Sequence, residues 1–165
     1  MHVNSQRIMG TILASYLISN PTKIFKVVDY GSMEHPAGPG TYRPFIAEHW
    51  QYIGCDLEAG PNVDLVMPGE YDTGLPDGVA DIVISGQCLE HVRNPFKAVA
   101  EMARNLKPGG MMAIVVPFTI AVHRFPIDCW RFAPDGLVTL MEEAGVRTVF
   151  ADVSDADCYL SLIHI

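Results

Sequence analysis

Two segments of the 165-residue sequence bring together side chains that can move protons or bind a polar ligand. Glu90 and His91 are adjacent, and an imidazole with an ordinary pKa near ~6.5 is suited to act as a general base. The second segment, 123–132, concentrates polar and aromatic side chains, namely His123, Arg124, Asp128, Trp130 and Arg131. Arginines would offer forked donors to a substrate, and a tryptophan would offer a flat apolar wall. The alternative for this segment is structural, with Trp130 as a core lid and Arg131 paired locally with Asp128.

Acidic residues and glycines follow two apolar runs earlier in the chain. Asp29 and Gly31 follow the first run, and Asp56 stands 27 positions after Asp29 at the end of the second. A short carboxylate at the end of a buried strand accepts hydrogen bonds from ribose hydroxyls in nucleotide-binding folds. A glycine there lets the backbone approach a ligand closely. Each feature alone is also compatible with a plain turn or a helix cap.

The apolar pattern predicts the alternating strands and helices that must position these residues. Helical spacing over 8–17 predicts a first helix, which Pro21 ends. Asn94 and Pro95 begin the clearest helix, 95–106. Its predicted apolar face consists of Phe96, Val99, Met102, Ala103 and Leu106. Further helices are predicted over 42–48 and 134–144, and strands over 26–29, 51–55, 63–67, 81–85, 111–116, 146–151 and 159–165.

Strands that alternate with helices across short turns predict an α/β fold. We expect a doubly wound, Rossmann-like sheet that is mostly parallel, with an antiparallel last strand and helices on both faces. In such sheets, ligands bind beyond the carboxyl ends of the strands, where the strand order switches. The residues that follow the strands are therefore the candidates for a binding site.

Composition and charge narrow the class of protein. The chain has 11 Lys and Arg against 19 Asp and Glu, for a net charge of −8, and forms one predicted domain over 1–165. The acidity argues against nucleic acid or an anionic membrane as a partner, because both require clustered basic residues. The four cysteines form no CxxC pair, and the apolar stretch 8–18 lacks the marks of a signal peptide. We therefore expect a cytoplasmic protein.

The stretches 80–96 and 100–110, together with the acidic strand ends, carry a family resemblance that spans 26–145. In sequence and spacing they resemble the fourth strand, fourth helix and fifth strand of class I S-adenosylmethionine-dependent methyltransferases, specifically the type 11 group. The resemblance implies S-adenosylmethionine as the cofactor and 70–76 as the loop beside its adenine. The cofactor-binding residues that it implies are Asp29, Gly31, Ser32, Gly40, Asp56, Leu57, Ser85, Gly86 and Gln87.

The sequence also departs from that family. A longer loop with two prolines replaces the compact Gly-x-Gly-x-Gly, and Gly40 is its delayed glycine, as in a subset of the family. That subset has a run similar to 123–132. The connection 56–63 is too short for the usual helix. Gln87 stands where metal-binding relatives with Glu-x-x-Glu-His have a glutamate, which reduces the charge available to a cation. We therefore expect no metal.

The resemblance implies methyl transfer to a small-molecule acceptor, such as a sugar or another metabolite, since the acidity disfavours RNA. Glu90 and His91 are then the candidate catalytic residues, and segment 123–132 is the candidate acceptor site. A catalytically silent cofactor-binding subunit stays open, and so does a homodimer. A nucleotide-dependent oxidoreductase would require Gly-x-Gly-x-x-Gly, which the loop after Asp29 does not supply.

Overall fold

A computed structural model of the chain describes residues 3–36, 38 and 40–154, and the backbone of 157–164. Within these residues, seven strands form one sheet in the order β3-β2-β1-β4-β5-β7-β6. The strands are β1 (Lys26–Tyr30), β2 (Gln51–Asp56), β3 (Leu65–Val66), β4 (Ala80–Gly86), β5 (Leu106–Pro117), β6 (Val146–Ser154) and β7 (Asp157–His164). The helices are α1 (Val3–Ser19), α2 (Pro95–Asn105) and α3 (Pro134–Glu143), and short 3-10 turns occupy Arg43–Phe45 and Leu89–His91.

The strand directions confirm the predicted sheet. The five strands from β3 to β5 run parallel, whereas β7 runs antiparallel to both β5 and β6. The parallel strands read as nearly continuous apolar runs because they are covered on both sides. The predicted strand 159–165 extends to Ile165, which lies outside the described residues.

Helices cover both faces of the sheet, as predicted. Successive residues of a strand point to opposite sides, so each buried strand supplies two cores. In β5, Met111 and Ala113 pack in the core that contains Leu13 of α1, while Met112 packs in the core that contains Val99 of α2. None of the described helices has the length and apolarity needed to cross a lipid bilayer.

Helix α2 begins as predicted, because the Asn94 side chain accepts a hydrogen bond from the backbone N–H of Lys97 and Pro95 occupies the first turn. Its buried face runs through Pro95, Ala98, Val99 and Met102, which repeat at helical spacing. The prediction that Phe96 belongs to this face is wrong. Phe96 directly follows Pro95, so its side chain points away from the buried face, and 52% of it is exposed.

Several element boundaries also differ from those predicted. The segment 42–48 forms only the turn Arg43–Phe45, because Pro44 lacks a backbone donor and Ile46 returns to an extended conformation. Strand β3 has two residues, since Asn62 just before it is left-handed and Pro68 follows it closely. Strand β5 begins at Leu106, with a register irregularity between Ala80 and Ile82 of its partner β4.

Candidate functional site

A cavity of about 760 Å³ opens at the carboxyl ends of the parallel strands. Its wall takes Gly31 from the loop after β1, Asp56 from the end of β2, Gln87 from the loop after β4 and Ile120 from the loop after β5. Strands β1 and β4 are neighbours in the sheet. The chain adds β2 and β3 on the side of β1, and it adds the later strands on the side of β4. This edge is therefore the switch point, and the volume is typical of a small-molecule site.

The loop after β1 reaches the cavity through Gly31, a position that only glycine fits. Its φ is +79°, and a Cβ there would lie 2.4 Å from the Sγ atom of Cys88. The backbone N–H groups of Gly31 and Ser32 donate to the carbonyl oxygen of Cys55 at 2.9 and 3.1 Å, which turns the chain across the end of β2. The backbone thus borders the cavity with no side chain between it and a ligand.

Asp56 ends β2 and presents a fixed carboxylate to the cavity. Its Oδ2 accepts a hydrogen bond from the N–H of Met33 at 2.9 Å, and its Oδ1 accepts one from the N–H of Leu57 at 2.7 Å. Each carboxylate oxygen has a second lone pair for a further donor. The carboxylate is therefore oriented in advance to accept hydrogen bonds from a diol.

Asp29 lies behind the cavity wall and is 1% exposed. Its Oδ2 accepts a hydrogen bond from the Tyr52 hydroxyl at 2.6 Å, and Oδ1 has no hydrogen-bond partner among the described residues. Burial raises the pKa of Asp29 to about 7. The Asn62 amide donates to the Tyr52 hydroxyl at 3.0 Å and to the carbonyl oxygen of Ser32 at 2.8 Å. Asp29 therefore anchors the loop that begins at Gly31.

The residues at the end of β4 divide between the interior and the cavity. Ser85 is buried and donates to the carbonyl oxygen of Tyr30 at 2.8 Å. A Cβ on Gly86 would lie 1.7 Å from the Tyr42 hydroxyl, so the packing of Tyr42 requires glycine at this position. Gln87 follows in a left-handed conformation, with a φ of 55°, and lines the cavity.

The cavity wall therefore includes part of the predicted cofactor set: Gly31, Asp56, Leu57 and Gln87. The other predicted residues are all described and stand outside that wall: Asp29, Ser32, Gly40, Ser85 and Gly86. Glu70, from the loop expected beside the adenine, also lines the cavity, and its carbonyl oxygen accepts a hydrogen bond from the Tyr30 hydroxyl. Contact of these residues with the cofactor stays a prediction.

His91 lies in the turn after β4 and lines the same cavity. Its Nδ1 is 2.6 Å from the carbonyl oxygen of Ile127. Because a carbonyl oxygen only accepts hydrogen bonds, Nδ1 carries the ring proton and Nε2 keeps its lone pair. Burial lowers the pKa of His91, which makes the ring neutral near pH 7. Its Nε2 is thus available as a base or as a ligand atom.

Glu90 is fully buried beside His91, and neither of its carboxyl oxygens has a hydrogen-bond partner among the described residues. The distance from its Oε1 to His91 Nε2 is 3.8 Å. Burial raises the pKa of Glu90 to about 8. A buried carboxyl without partners is costly, so this arrangement requires an explanation.

Of the five residues named as acceptor-binding in the segment 123–132, His123 reaches the cavity wall. Its ring packs edge-on against that of His91, with the centroids 4.9 Å apart, and Phe125 lies close to both rings. The potential ligand atoms of Glu90, His91 and His123 all lie within 4.8 Å of one another.

Arg131 and Asp128 brace their own loop, as in the structural alternative, whereas Trp130 is 39% exposed and is not a core lid. Arg131 donates to both carboxylate oxygens of Asp128, at 2.6 and 2.8 Å, which lowers the pKa of Asp128. Arg131 also donates to the carbonyl oxygens of Ile120 and Ala121. The Trp130 indole donates to the carbonyl oxygen of Val92 at 2.8 Å, and Arg124 is exposed. These four predicted acceptor residues do not line the cavity.

Several wall residues were not named individually from the sequence, among them Met33 and His35, and Phe125 and Ile127 within the predicted segment 123–132. His35 and Phe125 come from different loops and pack edge-on, with their ring centroids 4.7 Å apart. Their position in loops that follow strands was the available signal. Their types alone did not distinguish them from surface residues.

Residues 37–114 match a family model described as a methyltransferase domain. An uncharacterized methyltransferase from Mycobacterium sp. (strain KMS) is 31% identical over 100 residues, which cover 53% of this chain and 38% of that protein. The chain thus matches well under half the length of this curated relative.

Two solved structures share the fold at low sequence identity. A SAM-dependent methyltransferase from Aquifex aeolicus has a TM-score of 0.69 and 18% identity, over 93% of this chain and 89% of that one. The 1,6-didemethyltoxoflavin-N1-methyltransferase of Burkholderia thailandensis, solved with 1,6-didemethyltoxoflavin and S-adenosylhomocysteine, has a TM-score of 0.76 and 15% identity, over 97% and 78%. The chain is thus similar over 37–114 to a methyltransferase domain, and it shares the fold of these two solved methyltransferases.

Proposed function

We propose that this chain transfers the methyl group of S-adenosylmethionine to a small-molecule acceptor. The observation that carries the proposal is the cavity at the switch point, which the oriented carboxylate of Asp56 and the Nε2 atom of His91 both border. The first group suits a ribose, and the second suits an acceptor that must lose a proton.

On the cofactor side, Asp56 would accept hydrogen bonds from the ribose hydroxyls, and the backbone at Gly31 would border the methionine part. Leu57 would add an apolar edge beside the ribose, and Gln87 would contact the sulfonium side. Asp29, Ser32, Gly40, Ser85 and Gly86 would act through the loops that they hold. When bound, S-adenosylmethionine supplies an electrophilic methyl group on a sulfonium sulfur, which takes up the electron pair of the broken carbon–sulfur bond.

On the acceptor side, Nε2 of His91 would accept the proton that the acceptor loses as the new bond to carbon forms. The Ile127 carbonyl holds the ring in the tautomer that this step requires. Glu90 lies beside the same nitrogen, with its Oε1 3.8 Å from Nε2, and a negative charge there would stabilise the protonated imidazole. Most of the rate acceleration would still come from alignment of the cofactor with the acceptor.

His123 would form the acceptor wall, while Asp128, Trp130 and Arg131 would hold the loop that presents it. Arg124, which is exposed, would act at the rim. A metabolite fits the cavity volume and the net charge of −8 better than RNA does. The Burkholderia enzyme of the same fold was solved with a small heterocyclic compound. A cytoplasmic location and a homodimer stay predictions from the sequence.

Calorimetric titration with S-adenosylhomocysteine, in parallel with NAD⁺, tests the cofactor. We expect binding of the former only, and binding of NAD⁺ alone would favour the oxidoreductase. Transfer of labelled methyl from S-adenosylmethionine should then be measured on a panel of sugars and other hydroxylated or amine metabolites, with RNA as a further member. Cofactor binding without transfer to any acceptor would favour the catalytically silent subunit.

A further inference from the structure

We propose that the methyl acceptor is a flat, uncharged aromatic molecule with a ring hydroxyl or ring N–H group, and that it binds against an aromatic wall of the cavity. The aromatic wall consists of His35, His91, His123 and Phe125, which come from the loops after β1, β4 and β5. This inference rests on the proposed function and names its substrate class.

The four rings of the aromatic wall contact one another across these loops. Phe125 packs edge-on against His35, and its ring centroid lies 6.0 Å from that of His91 and 6.2 Å from that of His123. The rings of His91 and His123 are themselves edge-on, 4.9 Å apart. Aromatic rings attract further rings edge-on or offset-stacked at centroid distances of about 4.5–7 Å. The wall is therefore a surface against which another flat ring can pack.

Phe125 is unusual because 53% of it is exposed, although it lines the cavity beside three other rings. Ile120, Pro126 and Ile127 of the same loop also line the cavity, so the exposed ring belongs to a larger apolar surface. An exposed apolar surface inside a concave site is typical of ligand binding. A ligand that covers this surface would remove apolar area from water, which favours binding.

The scarcity of hydrogen-bonding side chains near the aromatic wall argues against a sugar. Within 35–36, 91 and 120–127, the polar side chains that border the cavity among the described residues are the three imidazoles. Nδ1 of His91 is already bonded to the Ile127 carbonyl. A sugar has a hydroxyl on most of its carbons, and each hydroxyl that is buried without a partner costs free energy. An aromatic molecule with one hydroxyl or N–H group needs only one partner.

The charges of the cavity wall argue against an anionic acceptor. Of the arginines and lysines that the structure describes, only Arg93 lines the cavity, and it is paired with the carboxylate of Glu70. Both arginines of segment 123–132 stand outside the wall, whereas Glu34 and Asp56 are part of it. A phosphate or carboxylate on the acceptor would therefore meet like charges without a free cation to offset them.

The Glu90–His91 pair provides the one partner that such an acceptor requires. Burial lowers the pKa of His91, so its ring is neutral near pH 7 and Nε2 can accept a hydrogen bond. Burial raises the pKa of Glu90 to about 8, so this carboxyl is mostly protonated at pH 7 and leaves little unpaired charge in the interior.

A ring hydroxyl on the acceptor would donate to Nε2 of His91. Its oxygen would form the new bond to the methyl carbon while the carbon–sulfur bond breaks and its electron pair stays on sulfur. The hydroxyl proton would pass to Nε2 and then to solvent.

Calorimetric titration with four matched probes tests the acceptor class, with and without saturating S-adenosylhomocysteine. The probes are 2-naphthol, its saturated analogue decahydro-2-naphthol, 2-naphthoate, in which a carboxylate replaces the hydroxyl, and methyl β-glucoside. We expect 2-naphthol to bind best, with the saturated analogue weaker by about 2–10-fold and 2-naphthoate by at least about 10-fold. Absence of 2-naphthol binding, or equal or tighter binding of any other probe, would overturn the aromatic class.

Phe125→Leu keeps an apolar side chain but removes the ring, and it should weaken 2-naphthol binding by about 2–10-fold. It should also reduce the preference over decahydro-2-naphthol. Phe118→Leu is the matched control, because Phe118 also follows β5 and is 41% exposed but stands outside the cavity wall. It should bind 2-naphthol as the wild type does. An equal effect of the two substitutions would overturn the aromatic wall, and retained binding of S-adenosylhomocysteine shows that each variant is folded.

Methyl transfer to the same probes distinguishes this inference from the proposed function. Transfer to methyl β-glucoside without transfer to 2-naphthol would overturn the aromatic class and leave the proposed function intact. Binding of both 2-naphthol and S-adenosylhomocysteine, without transfer to any acceptor, would overturn the proposed function and leave the aromatic site intact.

Discussion

At the scale of single residues, carboxyl groups in and around the cavity do different work because their surroundings differ. Asp56 is held by two backbone N–H groups at the cavity wall. Asp29 is buried with one hydroxyl partner, and Glu90 is buried with no hydrogen-bond partner among the described residues. Burial raises the pKa values of both buried groups. The residue type alone therefore did not determine the role of any of them.

Asp56→Ala should weaken binding of S-adenosylhomocysteine by about 1–3 kcal/mol, the usual cost of leaving donors unpaired in a site. Calorimetry on the folded variant measures this difference. The control is Asp72→Ala, which removes an exposed carboxylate outside the cavity wall and should leave the affinity unchanged. Equal affinity for the Asp56 variant and the wild type would remove Asp56 from the ribose role.

Asp29→Asn should stabilise the protein relative to the wild type by an amount that grows with pH. The carboxyl has a pKa of about 7 when folded and an ordinary value of 3.8 when unfolded. Between these values the folded wild type binds more protons, so its stability falls as pH rises, by about 4 kcal/mol in all. The amide does not titrate, and Tyr52 can still donate to it.

Denaturant unfolding of both proteins at pH 4.5 and pH 8 measures this effect. Any cost of the extra amide N–H group is the same at both pH values and cancels from the comparison. The free-energy gap between variant and wild type should be larger at pH 8. A gap that does not change with pH would mean that Asp29 ionises as freely in the folded protein as in the unfolded chain.

At the scale of elements, the ends of strands and helices decide which residues reach the cavity. Helix α2 supplies no cavity wall among its described residues, but its buried face holds β4 and β5 in place. Its carboxyl-terminal half also fixes the loop before β4, because Glu101 accepts hydrogen bonds from the backbone N–H and hydroxyl of Thr73. Correct placement of this helix is therefore a condition for the site.

Met102→Asp and Phe96→Asp are a matched pair on α2. Met102 is fully buried, so a charge there should cost several kcal/mol, about 3–5 or enough to unfold the chain. Phe96 is 52% exposed in the first turn, where an acid also interacts favourably with the helix dipole. Its replacement should change stability by less than about 1 kcal/mol. Urea unfolding measures both, and similar losses would mean that the buried face is misplaced.

At the scale of the whole molecule, the Tyr42 side chain connects α1 to the end of β4. The Tyr42 hydroxyl lies 2.5 Å from Ser5 Oγ of α1, and its ring packs where a Cβ on Gly86 would stand. Gly86 has no left-handed φ, so its backbone suits alanine, and the three atoms nearest to an added Cβ all belong to Tyr42. Residues far apart in the sequence thus determine together the geometry beside Gln87.

Gly86→Ala should therefore destabilise the fold by about 1–3 kcal/mol through overpacking. Combination with Tyr42→Leu should reveal a favourable coupling of about 0.5–3 kcal/mol, because the smaller side chain leaves space for the new methyl group. A double-mutant cycle in denaturant measures the coupling. Strict additivity would show that the two residues do not oppose each other.

The sequence by itself determined the order of the elements and the parallel sheet, and it carried the resemblance to methyltransferases. Helical spacing, strand-length apolar runs and caps such as Asn94 are local signals. They depend on the backbone geometry of residues that are close together in the chain. The glycine and the acid at the strand ends, Gly31 and Asp56, were predicted for the same reason, since their positions follow from the ends of β1 and β2.

Only the tertiary structure decided which polar residues meet. It separated Asp128 and Arg131 from the cavity and placed His123 beside His91 and Glu90, which lie 32 and 33 positions earlier. It also packed Tyr42 against Gly86, which explains why that position requires glycine, and it left Phe96 exposed. These outcomes depend on loop conformation and on contacts between distant segments. Local propensity does not encode such contacts, because their energies arise only when the whole sheet is assembled.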